Sequence, residues 1–289
     1  MQTFIADDGE RLYLRVRGEG PPLILLHGWT SSHTIWNALP ETLHRHHRVF
    51  CPDARGHGGH DPVLNRTPDV GRLARDVLNL MDHFGLAKAA VVGHSMGALT
   101  LWQFIRDFGC GRLSRLCIID QSPRLLTDAT WTNGIYGDFD EARSQRLLDD
   151  LESDFAEAVL RLAANGLNAR ARETYARNSR GWQQIRQNLR GLDPGPLIAI
   201  WKSLVSADFR DVLPQITVPT LMVWGSESNF YTLDTAAWLL AHIRQARLES
   251  YAGADHSPQL QQPARFVADL TAFLAGGDTS RKETQVKAP

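Results

Sequence analysis

Ala89-Ala90-Val91-Val92-Gly93-His94-Ser95-Met96-Gly97-Ala98 is the run from which the fold of this chain is read. Its first half is apolar and partly β-branched, as a buried strand requires. Its second half passes into Leu99-Thr100-Leu101-Trp102-Gln103-Phe104-Ile105, which is helical in composition and ends at Gly109. A strand that turns straight into a helix crowds its own backbone at the corner. Gly93 and Gly97, two residues before and after Ser95, are small where that crowding is expected. The corner lifts the serine hydroxyl clear of the sheet and aims the first N–H groups of the helix at the same spot, which suits them to hold an oxyanion.

Working outward, Pro22-Leu23-Ile24-Leu25-Leu26 is continuously apolar, as a strand covered on both faces must be, and runs into His27-Gly28-Trp29. The strand Arg48 to Cys51 runs into Asp53-Ala54-Arg55-Gly56-His57-Gly58, and His256 follows the last strand-like run. Taken together with Gly93-His94-Ser95-Met96-Gly97, these segments and their order resemble the α/β-hydrolase fold family from about residue 20 to 275. Within it the chain looks most like the esterase, lactonase and non-haem haloperoxidase-like branch. The resemblance implies an α/β fold: a mostly parallel eight-stranded sheet with helices on both faces and an inserted helical cap. It also implies that the backbone N–H groups of Trp29 and Met96 form the oxyanion hole.

The chain has 289 residues, 43% of them apolar, and a net charge of −1, enough for one sizeable core with an insertion. That charge argues against nucleic acid or an anionic membrane as partner and favours neutral or modestly charged small molecules, which the serine chemistry below makes a small-molecule acyl substrate. Met1 to Glu10 shows no basic start followed by an apolar run, and the three cysteines, Cys51, Cys110 and Cys117, have no paired spacing. The expectation is therefore a cytoplasmic protein with reduced thiols.

Thr3 to Ile5 and Leu12 to Val16 flank Asp8-Gly9 and predict an opening hairpin, and Leu39 to His44 reads as a short helix. Thr67 as cap, Pro68 in the first turn and Gly85 after the last bracket a helix whose core face is Val70, Leu73, Ala74, Val77, Leu80, Met81 and Phe84. Residues 1–123 and 214–276 are assigned to the core and 124–213, where helical segments alternate with Gly and Pro breaks, to a cap of three or four helices. Residues 277–289 form a polar tail expected to be disordered. Trp131, Tyr136, Phe139, Trp182 and Trp201, with Phe230 beyond the next strand, are candidates for an apolar acyl pocket or, equally, for glue between cap helices. His27 and His94 read as buried residues that order their loops.

A serine needs a base, and the base needs an acceptor to fix its tautomer. His256 fits as the base by chain order. In most members of the family the acid is an Asp three residues after the Gly that ends the penultimate strand. Here that position is Ser228. Asp120, at the end of the strand after the serine strand, is favoured as the replacement, with Glu227 as the alternative and Asp234, or no acid, behind them. Asp255 is expected to shape its loop.

The chemistry expected is hydrolysis of an ester, lactone or thioester through an acyl-enzyme, with no metal and no organic cofactor. Acyl transfer or perhydrolysis at the same site, or a binding protein without turnover, are the rival readings.

Overall fold

The computed structural model describes residues 1–60 and 67–276. The expected tail, 277–289, lies outside the described residues. Eight strands form one sheet: β1 (Gln2–Ile5), β2 (Arg11–Arg17), β3 (Pro22–Leu26), β4 (Arg48–Pro52), β5 (Ala89–His94), β6 (Leu113–Ile119), β7 (Thr220–Gly225) and β8 (Ala246–Tyr251). Their spatial order is β1-β2-β4-β3-β5-β6-β7-β8. The β1–β2 and β2–β4 pairs are antiparallel and all others parallel, so the opening hairpin closes one edge as expected.

The helices are α1 (Thr42–His46), α2 (Val70–His83), α3 (Met96–Phe108), α4 (Glu141–Ser153), α5 (Phe155–Ala164), α6 (Ala169–Ala176), α7 (Arg180–Arg190), α8 (Pro194–Ser206), α9 (Leu233–His242), α10 (Pro258–Gln261) and α11 (Pro263–Leu274). None is long and apolar enough among the described residues to cross a membrane.

Alternation along the central strands divides the core in two. Leu23, Leu25, Val92, Ile119 and Val223 face the layer of α1 and α11, with Leu43, Phe266 and Leu270. Ile24, Leu26, Val91, Ile118 and Met222 face α2, α3 and α9. Both faces being covered is why these strands read as unbroken apolar runs.

Three expectations need correction. The short helix expected over Leu39 to His44 is α1, which starts later, at Thr42, and is preceded by a 3₁₀ turn, His33–Ala38. Pro40 explains the break, because the residue before a proline is pushed out of the helical region, and Leu39 lies at φ −72°, ψ 136°. Asp69, not Thr67, caps α2, its carboxylate accepting the Arg72 N–H. The segment between β6 and β7 holds five α-helices, four of them started by side-chain caps at Asp140, Asp154, Asn168 and Asp193.

Strand order reverses beside β3 and β5, and their carboxyl ends open the crevice where such sheets place their ligands. The turn out of β5 depends on its glycines. A Cβ on Gly97 would lie 2.5 Å from the Leu26 carbonyl oxygen, and one on Gly93 2.6 Å from Gly97 and Ala98 backbone. Gly→Ala inside a helix ordinarily stabilises by about 1 kcal/mol. At residue 97 the expected sign is opposite, a loss of about 1–3 kcal/mol from overpacking, checked by urea denaturation of Gly97→Ala.

Candidate active site

Ser95 stands between β5 and α3 at φ +54°, ψ −118°, a conformation that non-glycine residues rarely adopt. Its N–H bonds the Ile119 carbonyl at 3.2 Å, and the two close-packed glycines hold the corner around it. Strain of this kind persists only where the surroundings over-determine it. The Met96 N–H opens α3, where helix geometry leaves donors without an internal acceptor.

The loop after β3 lies directly against the serine: a Cβ on Gly28 would come within 3.3 Å of the Ser95 Cβ. That loop is pinned by two histidines acting reciprocally. His27 accepts the Ala54 N–H and donates to the Gly28 carbonyl, while His57 accepts the Thr30 N–H and donates to the Arg55 carbonyl. Asp53 braces the far side. Burial alone would raise its carboxyl, but hydrogen bonds from the His33 N–H and from His60 outweigh it and hold the group below the usual range. The Trp29 indole N–H bonds the Leu197 carbonyl of α8 at 2.9 Å, and its ring packs on Trp201 at 4.7 Å.

Asp120 follows β6, fully buried, at φ +46°. Its Oδ2 accepts the Gly225 N–H at 2.9 Å. Its Oδ1 accepts from Ser228 Oγ at 2.7 Å and from His256 Nδ1 at 2.8 Å. The last bond fixes the His256 tautomer and leaves Nε2 with a free lone pair. Phe230 meets the His256 ring edge-on at 4.5 Å. His94 donates through Nε2 to the His256 carbonyl at 2.9 Å, and Asn229 Oδ1 accepts the His256 N–H at 3.3 Å while its Nδ2 donates to the Ala163 carbonyl of α5.

Ser95 and His256 line one cavity of about 460 Å3, together with Gly28, Trp29 and Met96. Their side chains are not hydrogen-bonded to each other here, and in unliganded sites such contacts are commonly long and tighten with substrate. Trp201, Phe230 and Trp182 line the same cavity. Trp131 and Tyr136 are set back from it. Trp131 is buried against Trp238 and bonds the Arg124 carbonyl, and Tyr136 bonds the Leu162 carbonyl and stacks behind Phe230. Glu227 is exposed, its backbone N–H donates to the Ala254 carbonyl and its carbonyl accepts from Asn168 Nδ2. Asp234 is exposed in the first turn of α9. Asp255 accepts the Ser257 N–H, and burial pushes its carboxyl up.

In the sequence Ser228 is visible only as a missing carboxylate. Its role as a hydroxyl donor to Asp120 and acceptor of the Phe230 and Tyr231 N–H groups is visible only in the fold. Asn229 carried no signal at all.

Burial holds His27 below its ordinary range, and burial together with a nearby histidine pushes His57 and His94 down to about 3. Unfolded, such groups titrate near 6.5, so below that pH protons bind the unfolded chain preferentially. For His57 and His94 the stabilising effect is complete above about pH 6.5 and is lost as pH falls towards 3, with a slope approaching about 1.4 kcal/mol per pH unit for each, and His27 acts in the same direction. Urea midpoints should fall steadily from pH 7 to pH 4.5. A flat profile across that window contradicts the assignment of neutral buried rings.

Comparison with known proteins agrees with this architecture. The chain is 28% identical over 286 residues to a non-heme haloperoxidase of Rhodococcus erythropolis, covering 95% of this chain and 99% of that one. It is 25% identical to a pimeloyl-[acyl-carrier protein] methyl ester esterase of Nitrosomonas europaea, covering 91% and 99%. The esterase EaEST of Exiguobacterium antarcticum superposes with a TM-score of 0.81 at 21% identity, over 94% of this chain and 98% of that one, which speaks to the fold alone. The family model described as alpha/beta hydrolase fold matches residues 21–263, and with that span the chain belongs to the alpha/beta hydrolase fold family.

Proposed function

We propose that this protein is a carboxylic ester hydrolase that works through an acyl-enzyme. Ser95 Oγ attacks the carbonyl carbon while His256 Nε2 takes its proton. Asp120 holds the ring through Nδ1 and stabilises the imidazolium that forms. The Trp29 and Met96 N–H groups receive the oxyanion. The imidazolium then gives its proton to the departing alcohol, and water, activated by the same ring, releases the acid and restores the serine.

The observation that carries this reading is the 2.8 Å bond from His256 Nδ1 to the buried Asp120, on the wall of the cavity that the strained Ser95 also lines. Residues 124–213 act in it as a cap that roofs the site, and relatives named as esterases lend it further support. Similarity to a protein named a non-heme haloperoxidase favours one additional assay, with hydrogen peroxide replacing water at the acyl-enzyme to give a peracid.

The direct test is p-nitrophenyl butyrate with the purified protein. The expected result is product release over many turnovers, abolished by stoichiometric labelling of Ser95 with a fluorophosphonate. Release of one equivalent or none overturns the reading in favour of a binding protein.

A further inference from the structure

His256 lies between β8 and α10, outside strand and helix, so its backbone needs other partners to be held in place. Side chains supply them. The His256 carbonyl accepts from His94 Nε2 at 2.9 Å, and its N–H donates to Asn229 Oδ1 at 3.3 Å. His94 ends β5 and belongs to the sheet. Asn229 belongs to the loop between β7 and α9, and what grips that loop is the insert.

Asn229 Nδ2 donates to the Ala163 carbonyl at 2.8 Å, in the last turn of α5, where helix geometry leaves carbonyls without an internal donor. The Asn229 carbonyl accepts the Leu167 N–H, also at 2.8 Å. The approach is close: a Cβ on Gly166 would lie 2.0 Å from that carbonyl oxygen. On either side, Asn168 Nδ2 donates to the Glu227 carbonyl at 2.7 Å and the Tyr136 N–H to the Phe230 carbonyl at 2.8 Å. Residues 227, 229 and 230 are thus stitched to the insert, while Ser228 between them donates to Asp120.

We infer that Asn229 is a positioning residue, which makes the aim of the His256 base depend on how the insert is seated. The inference rests on the acyl-enzyme reading above. One buried amide carries an acceptor and a donor side by side, and here each faces the group that suits it: Oδ1 the His256 N–H, Nδ2 the Ala163 carbonyl. Alanine offers neither, and aspartate has no donor for Ala163. The bond from Nδ1 to Asp120 sets the tautomer of the ring, but it does not set where the backbone beneath the ring lies. Proton transfer needs Nε2 within hydrogen-bond reach of Ser95 Oγ, and a misplacement of about 1 Å costs on the order of 10²-fold in rate.

The test uses the full chain with p-nitrophenyl butyrate and three variants: Asn229→Ala, Gly166→Ala and the two combined. Turnover is counted per folded molecule from urea melts, and Ser95 reactivity is followed as the second-order rate of fluorophosphonate labelling. Asn229→Ala should lower kcat by about 10- to 100-fold with KM changed less than about twofold, and labelling should slow in parallel, since the label also needs the base. Gly166→Ala, a change within the insert and outside the cavity lining, should give the same signature. The double variant should be no slower than the slower single one, because the same tie can be cut only once. Either single variant decides alone if the other does not fold. Wild-type kcat and labelling per folded molecule in either one, a raised KM with kcat unchanged, or losses that multiply in the double variant overturn the inference and leave the hydrolase reading standing. Absence of both turnover and labelling in the unmodified protein removes that reading, and the inference with it.

Discussion

Asp120→Asn lowers kcat on a p-nitrophenyl ester by about 10⁴-fold with KM changed little, because what is lost is a charge needed only once the imidazolium forms. The local hydrogen bonds sharpen the expectation. Oδ1 accepts from both Ser228 and His256, and Oδ2 accepts from the Gly225 N–H, so both positions demand an acceptor. An amide supplies one acceptor and one donor. Whichever way it turns, its NH2 meets another donor in a fully buried place, adding about 1–3 kcal/mol of destabilisation. Steady-state kinetics at saturating substrate, with a urea melt as control, measures both effects. Ser228→Asp in the same chain should recover one to two orders of magnitude, because Ser228 Oγ already lies 2.7 Å from the carboxylate oxygen that holds the ring. A rate within tenfold of wild type for Asp120→Asn alone would falsify the assignment of Asp120 as the acid.

Ser95→Ala and His256→Ala each reduce turnover by on the order of 10⁶-fold, and the double variant is no slower than either single one. Nucleophile and base act as one unit, so after the first is lost the second has nothing left to assist. Single-turnover measurements that follow p-nitrophenolate release resolve rates this low. Additive losses in the double variant would mean that the two residues serve separate steps and would break the proton-transfer link between them.

Much of this could be read from the chain alone, for reasons that differ from residue to residue. The buried runs at Leu23 to Leu26 and at Val91 and Val92 could not be anything but central strands, because few other places accept that much unbroken apolar sequence. Asp120 was legible as a candidate because Ser228 stands where a carboxylate was expected and the end of β6 is the neighbouring position facing the same crevice. The aromatic residues of the insert were not legible in the same way. Trp131 and Trp201 are both nearly fully buried, yet one packs on Trp238 and the other faces the cavity, and nothing in their immediate neighbours separates the two fates. Helix number in the insert was undercounted because short helices broken by Asp and Asn caps leave no long apolar period. Asn229 was invisible because its partners, at residues 163 and 256, are remote in sequence.

Trp29 belongs to the sheet domain by its backbone and to the insert by its side chain, through the Leu197 carbonyl and the Trp201 ring. On the proposed mechanism this ties α8 to the segment whose N–H would receive the oxyanion, so that lifting α8 would tug on that segment. The expected consequence is that damage to the underside of the insert far from Ser95 registers first as slower chemistry rather than as weaker capture of substrate.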